Sequence, residues 1–370
     1  MAGNTNLCAA KAAKNDEFYT QWNDIENEIQ AYLEYDPDVF SGKTVLLPCD
    51  DPEWSNFTKY FALNFKSLGI KKLISTSYAP AKSQENGRIF VLERDVTCGG
   101  KINIHNIEWD YLNGDGDFRS EEVTALRDEA DMVITNPPFS LFREFMAWLV
   151  EGGVEFSVIG NMNAIAYKEI FPLIKGNEMW MGASRMGARY FALPSNAPVK
   201  ANRHEENGVR FQKFGNIAWF TNIEHGRRHG FLELMTMEDN IRYCRRKVVR
   251  ERGYSKYDNY DAIEVPFTEA IPSDCDGVMG VPISFLDKYS PEQFEILGIS
   301  EASGKGGSGD LWDRTSGVKH PLIAGDRTYT RIFIRHRNPE RKESQPLSRS
   351  RSGQSSLRCK RGFSHVEVRG

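Results

Sequence analysis

Between residues 43 and 160 the chain repeats one pattern: a short aliphatic and β-branched run, a polar turn, then a helical stretch. The runs are KTVLL (43–47), KLISTS (72–77), MVIT (132–135) and EFSVIG (155–160), each of the length expected of a buried strand. Helical spacing falls between them, over 56–68, 121–129 and 141–150. Strands that alternate with helices return to one sheet through right-handed crossovers, so the expectation is an α/β, Rossmann-like domain with a mostly parallel sheet over residues 1–175. An N-terminal helix over 16–36, with Asp16 to cap it and Pro37 to stop it, brings Trp22, Ile25, Ile29 and Leu33 onto one face. Residues 84–97 read as a variable hairpin, and 106–111 as a further strand ahead of a loop that runs to residue 120.

At 370 residues the chain exceeds the roughly 250–300 residues that one core usually supports, so a second, smaller region is expected. The pattern loosens over 176–260, with strand-like pieces at 189–193 and 216–221. It tightens again over 261–337, where 328–335 (TYTRIFIR) alternates as a terminal strand and 301–309 (EASGKGGSG) reads as a flexible loop. From 338 to 370 the composition turns to Ser and Arg, which cannot bury apolar surface, and a disordered tail is expected.

No run of about 18 apolar residues and no signal-peptide core is present, which predicts a cytoplasmic protein with no membrane contact. Six scattered cysteines without a CxxC pair argue against structural zinc, and no metal is expected. The net charge of −4 is unevenly spread: ten of the 47 basic residues but only three of the 51 acids lie from Arg335 onward, leaving 37 against 48 before it. A body that acidic must confine any nucleic-acid surface to local patches. Two segments qualify, 185–213 with six basic and two acidic residues and 227–252 with eight and four, although either is equally readable as a solvated charged face.

The sharpest chemical signal is Asn136-Pro137-Pro138-Phe139, directly after the MVIT run. The exocyclic amine of a nucleobase is a poor nucleophile because its lone pair is delocalised into the ring. Two oxygen acceptors that take both amine hydrogens pull the nitrogen toward tetrahedral geometry and free that lone pair. The Asn136 side-chain carbonyl and the Pro137 backbone carbonyl are such a pair, a case of preorganised electrostatics. The prolines stiffen the turn, and Phe139 offers a ring on which an extruded base can stack. The plain reading is a rigid turn that closes a strand.

Two further loops follow expected strands. In DGDFRS (115–120), Asp117 can accept from an amine and Phe118 can pack on the ring that bears it, although Asp-Gly-Asp is first of all a turn. In VLLPCDDPEWSNF (45–57) no glycine permits close backbone approach to a nucleotide; Asp50 and Asp51 meet a cofactor's ammonium or ribose there, or only cap the following helix.

Taken together, DEFYTQ (16–21), CDDPEWSNF (49–57), DGDFRS, TNPPFS (135–140), YDNYDAIEV (257–265) and GVMGVPISFL (277–286) resemble the adenine-specific DNA methyltransferases of the EcoRI type, over about residues 15–336. The resemblance implies a class I methyltransferase fold, S-adenosylmethionine as methyl donor, and duplex DNA whose target adenine is extruded. It makes Asn136 to Phe139 the catalytic motif. It places Phe18, Tyr19 and Thr20 at the methionine end of the donor, Asp50 and Asp51 in the first donor loop, and Asp117 with Phe118 at its adenine. An acid after the second strand, near 75–78, is not evident. Residues 176–260 become a target-recognition region, with Arg185, Arg189, Arg203, Arg227, Arg228, Arg245 and Arg246 as candidates for phosphate or guanine contacts. The expected protein is a monomer of a restriction-modification system or phage, and any cognate restriction endonuclease would act separately. Two alternatives stay open: an RNA-base or protein-glutamine methyltransferase with the same turn, and a DNA-binding relative without catalysis.

Overall fold

A computed structural model of the chain describes residues 20–79, 85–93, 107–193, 203–206, 208–300 and 308–340. In order, the main elements of the first half are α1 (Trp22–Tyr35), β1 (Thr44–Leu47), α2 (Asn56–Asn64), β2 (Lys72–Thr76), β3 (Arg88–Glu93), β4 (Asp110–Tyr111), α3 (Glu121–Glu129), β5 (Met132–Thr135), α4 (Phe142–Gly152) and β6 (Glu155–Asn161). Then come α5 (Phe171–Lys175), β7 (Trp180–Met181), β8 (Gly187–Ala192), β9 (Arg203–Glu206), β10 (Val209–Thr221), α6 (Met237–Tyr243) and α7 (Lys247–Arg252). The last strands are β11 (Ile263–Glu264), β12 (Met279–Pro282), β13 (Phe294–Ile299), β14 (Leu322–Ile323), β15 (Asp326–Arg327) and β16 (Arg331–His336).

The large sheet runs β4-β3-β2-β1-β5-β6-β10-β7, with β8 and β9 paired to β10. Its centre, β2-β1-β5-β6, is parallel, and the strands outside it are antiparallel. The sheet is therefore mixed rather than mostly parallel, because β3 and β4 return as a hairpin and β10 folds back along β6. Every residue of β1 and β5 is buried, as the uninterrupted apolar runs require of strands covered on both faces. Alternate side chains point to opposite sides. Leu46, Ile74, Val133 and Val158 meet Val123 of α3 and Phe145 and Leu149 of α4, while Val45, Leu47, Leu73, Met132 and Ile134 meet Ile25 and Ile29 of α1 and Phe57 and Phe61 of α2.

β10 is longer than the 216–221 run suggested. Its end, 217–221, pairs with β6, its start pairs with β8 and β9, and the register shifts between Phe214 and Ile217, where Asn216 takes a positive φ of 59°. The strands β7 to β10 thus belong to the same sheet. A second sheet, β11-β12-β16-β13, closes the molecule, and its Met279, Val281, Phe294 and Ile332 join the core on the α3–α4 side. Asp16, residues 301–307 and the tail from 341 onward lie outside the described residues. No helix among the described residues is long and apolar enough to cross a membrane.

Candidate active site

From β1 the chain moves to β2 on one side, and β5 later enters on the other, so the loops that follow β1 and β5 diverge at the C-terminal edge of the sheet. Open α/β sheets bind ligands at such a switch point. Both the 48–55 loop and the 136–139 turn start there.

Asn136, Pro137 and Pro138 leave β5 extended, with Pro138 at φ −56° and ψ 121°. A single 3-10 turn, Phe139–Leu141, then hands the chain to α4. The Leu141 N–H donates to the Pro138 carbonyl at 2.9 Å, and the side-chain oxygen of Asn136 is buried. Phe139 is half-buried, its ring perpendicular to Phe191 of β8 at 6.3 Å and to Phe214 of β10 at 6.2 Å. Those two rings meet each other at 5.6 Å, so aromatic packing ties the outer strands to the turn. Neither Phe191 nor Phe214 stood out in the sequence; they become neighbours only through the β8–β10 register, which sets Phe191 opposite Gln212 and Phe214 opposite Arg189.

The glycine-free β1 loop is held by hydroxyl groups. Asp50 is buried, with Ser55 Oγ donating to Oδ1 and Thr135 Oγ1 donating to Oδ2, both at 2.6 Å. Ser75 Oγ donates to the Asp50 carbonyl at 2.5 Å and also meets Thr58 at 2.6 Å. The Asp50 N–H bonds the Thr76 carbonyl at 3.0 Å. Burial pushes the Asp50 carboxyl up to about 7; its two hydroxyl donors pull the other way, and Asp51 adds to the rise. Asp51 accepts from the Glu53 and Trp54 amides at 2.9 and 3.2 Å and pairs with Arg88 at 3.4 Å. Ser55 caps α2. Of the two sequence readings of this loop, the geometry gives both acids structural bonds, and the cap itself falls to Ser55.

The 115–120 loop lies against the end of β2. The Ala79 N–H donates to the Asp115 carbonyl at 2.7 Å, and Gly116, at φ +76°, passes so close that a Cβ would stand 2.1 Å from the Ser77 carbonyl oxygen. The loop thereby brings Asp115 to the place after β2 where the local sequence has no acid. Asp117 is half-buried and pairs with Arg119 at 2.5 Å. Phe118 corrects its expectation: it is 4% exposed, packed edge-on to Phe145 at 5.0 Å and Trp148 at 5.6 Å, so it is a core residue behind Asp117 with no open ring face. Thr20 is buried beside α2, its carbonyl accepting from Asn56 Nδ2 at 2.8 Å. Its hydroxyl has no hydrogen-bond partner among the described residues. Phe18 and Tyr19 lie outside them.

The description that matches this chain is the adenine-specific methyltransferase EcoRI family, over residues 6–337. The chain belongs to that family. It is 44% identical over 306 residues to the type II methyltransferase M.EcoRI of Escherichia coli, covering 80% of this chain and 89% of the relative. It is 37% identical to the type II methyltransferase M.MpnI of Mycoplasma pneumoniae, over 78% of this chain and 83% of that one. No solved structure matches it.

In this methyltransferase the seven arginines expected at the substrate separate by environment. Arg228 is 4% exposed, lies over the Trp180 ring at 3.6 Å and is held by Asn177 and, at 3.4 Å, by Glu224. Its burial and its contacts with Trp180 and Glu224 make it a core residue, against the expectation of a DNA contact. Arg189 pairs with Asp24 of α1. Arg227 pairs with Asp287 at 2.7 Å and donates to the Ala183 carbonyl. Arg246 is exposed and pairs with Glu269 at 2.6 Å. Arg185 and Arg245 are exposed. Arg203 falls on β9, with its side chain outside the described residues.

Arg185 sits on a gripped turn. Buried Glu28 of α1 accepts from the Ala183 and Ser184 amides at 2.8 and 2.7 Å, and Asp287 accepts from the Met186 amide at 2.9 Å. Only glycine fits at 182, where a Cβ would stand 2.2 Å from the Glu28 carboxylate.

Proposed function

We propose that this enzyme transfers a methyl group from S-adenosylmethionine to the N6 amine of a specific adenine in duplex DNA, as the modification enzyme of a restriction-modification system or phage. The reading is carried by one observation: a proline-stiffened turn with a buried side-chain oxygen, that of Asn136, opens at the switch point of the sheet. The Pro138 carbonyl is engaged by Leu141, which leaves the Pro137 carbonyl as the backbone acceptor. Asn136 and Pro137 would hold the two amine hydrogens, and Phe139 would stack on the extruded base.

The donor, when bound, supplies an electrophilic methyl on a sulfonium. The protein's residues fit it: the buried Thr20 hydroxyl is a donor and acceptor in need of a partner, and Asp115 and Asp117 line the loop beside β2 where hydroxyl and amine groups of a nucleoside can be met. Residues 176–260 supply target recognition, with Arg185, Arg245 and Arg246 as the exposed candidates among the arginines named above. The enzyme acts as a monomer, and any partner endonuclease acts separately.

Methyl transfer from labelled donor to duplex DNA, RNA and protein tests the substrate, followed by sequencing of the DNA with modified-base detection. Label confined to N6-methyladenine at one recurring sequence is expected. Label in RNA or protein alone would overturn the reading.

A further inference from the structure

We infer that Asp50 is a positioning residue for the catalytic turn, fixing through Thr135 where Asn136 stands relative to the β1 loop. It rests on the reading of 136–139 as the turn that holds the amine. Thr135 is the residue before Asn136, and its hydroxyl donates to Asp50 Oδ2 at 2.6 Å. The other carboxylate oxygen takes the hydroxyl of Ser55, the residue that caps α2. The backbone of Asp50 is fixed in turn by Ser75 and Thr76 of β2. The buried carboxylate therefore ties the end of β1 to β5 and to the start of α2, while the backbone of the same residue ties it to β2.

The chemistry of the carboxyl gives this tie a protonation state. An ionised carboxylate accepts at both oxygens. A protonated one must donate at one of them, and the hydroxyl there has to turn round. The groups that face it are the hydroxyls of Ser55 from the α2 cap and Thr135 from β5, Ser75 from β2 on its backbone carbonyl, and, as a charge, Asp51 beside it, paired with Arg88 of β3. No cation is among its hydrogen-bond partners in the described residues to hold it ionised, and burial raises its carboxyl toward neutrality. The arrangement in which both hydroxyls donate therefore belongs to the ionised form, and protonation reverses one of the two bonds and so changes how Thr135 is held.

The test uses the full chain and a duplex that the wild-type enzyme methylates, with Asp50→Asn, Thr135→Val and the double variant. Single-turnover rates are measured from about two units below to two units above neutrality, with equilibrium binding of S-adenosylmethionine measured in parallel. Each single variant is expected to slow methyl transfer roughly tenfold above neutrality, the effect of one lost hydrogen bond, while donor affinity moves less than about twofold. The double variant is expected to be no slower than the slower single. The wild type should lose rate below neutral pH, and both singles should lose that acid limb. Thr135→Val keeps the shape of the side chain and carries the test by itself where Asp50→Asn fails to fold. Variants as fast as wild type, additive losses, or a loss confined to donor affinity would overturn the role. Wild-type enzyme inert toward all DNA would instead overturn the proposed function.

Discussion

The carboxylate of Asp50 accepts the Thr135 hydroxyl at 2.6 Å across 85 residues of sequence, and so joins the two strands between which the sheet divides. The parallel pairing of β1 with β5 brings their ends close. The hydrogen bond then decides how the loops beyond those ends are set against each other. A loop that lacks the usual glycines is made rigid by hydroxyls that converge on one acid, which satisfies its buried oxygens in place of water.

That acid has a measurable effect on stability. Its carboxyl is raised from 3.8 to about 7, chiefly by burial, so the folded state favours the protonated form. Its contribution is complete below about pH 4 and is lost as pH rises through about 7, a span worth at most about 4 kcal/mol. Asparagine carries no charge and has no such span. Denaturant melts are expected to show Asp50→Asn gaining on the wild type as pH rises through that range; parallel pH dependences in the two proteins would contradict this.

Asn136→Ala removes one of the two acceptors proposed for the amine without touching the sheet or the basic turn. Methyl transfer is expected to fall by at least about a hundredfold, while affinity for duplex DNA stays within about threefold. Single-turnover kinetics and gel-shift titration separate the two, and an unchanged rate would take Asn136 out of the chemistry.

Much of this site was legible because it is local. The turn 136–139 follows a strand whose four residues coincide with the MVIT run, and α3 spans Glu121–Glu129 as its spacing predicts. What escaped depends on partners far along the chain. Arg228 reads as a DNA contact until Trp180 is seen beneath it, and Phe118 reads as a stacking face until α4 covers it. Asp50 reads as a cofactor ligand or a cap, and its bond to Thr135 across 85 residues is supplied only by the fold. The mixed sheet escaped because β10 carries a glycine and a left-handed Asn216 that break its alternation, so only its last residues looked like a strand.

Phe139 works with support. Its ring is braced edge-on by Phe191 and Phe214, which belong to the strands beside the basic segment. Phe139→Ala is expected to reduce extrusion of the target base, read as a weaker fluorescence rise from 2-aminopurine at the target position. Phe214→Leu keeps an apolar side chain but loses the edge contact, worth about 1 kcal/mol, and is expected to give a partial loss of the same signal. A full signal from both variants would detach this cluster from base extrusion.

Arg185 and Arg228 give opposite expectations from the same residue type. Arg185 is exposed on a turn held by Glu28 and Asp287, so its own side chain contributes little to folding. Arg185→Ala is expected to leave the melting temperature unchanged and to weaken DNA binding, lowering the slope of log K against log salt by about 1, the value of one phosphate contact. Arg228 is buried over Trp180, and its truncation leaves a gap beside that ring and leaves Asn177 without its guanidinium partner. Arg228→Ala is expected to cost about 2 kcal/mol or more of stability while leaving the salt slope of the folded enzyme as it was. A stability loss from Arg185→Ala, or a changed salt slope from Arg228→Ala, would reverse their assignments and move the DNA face away from the 183–186 turn.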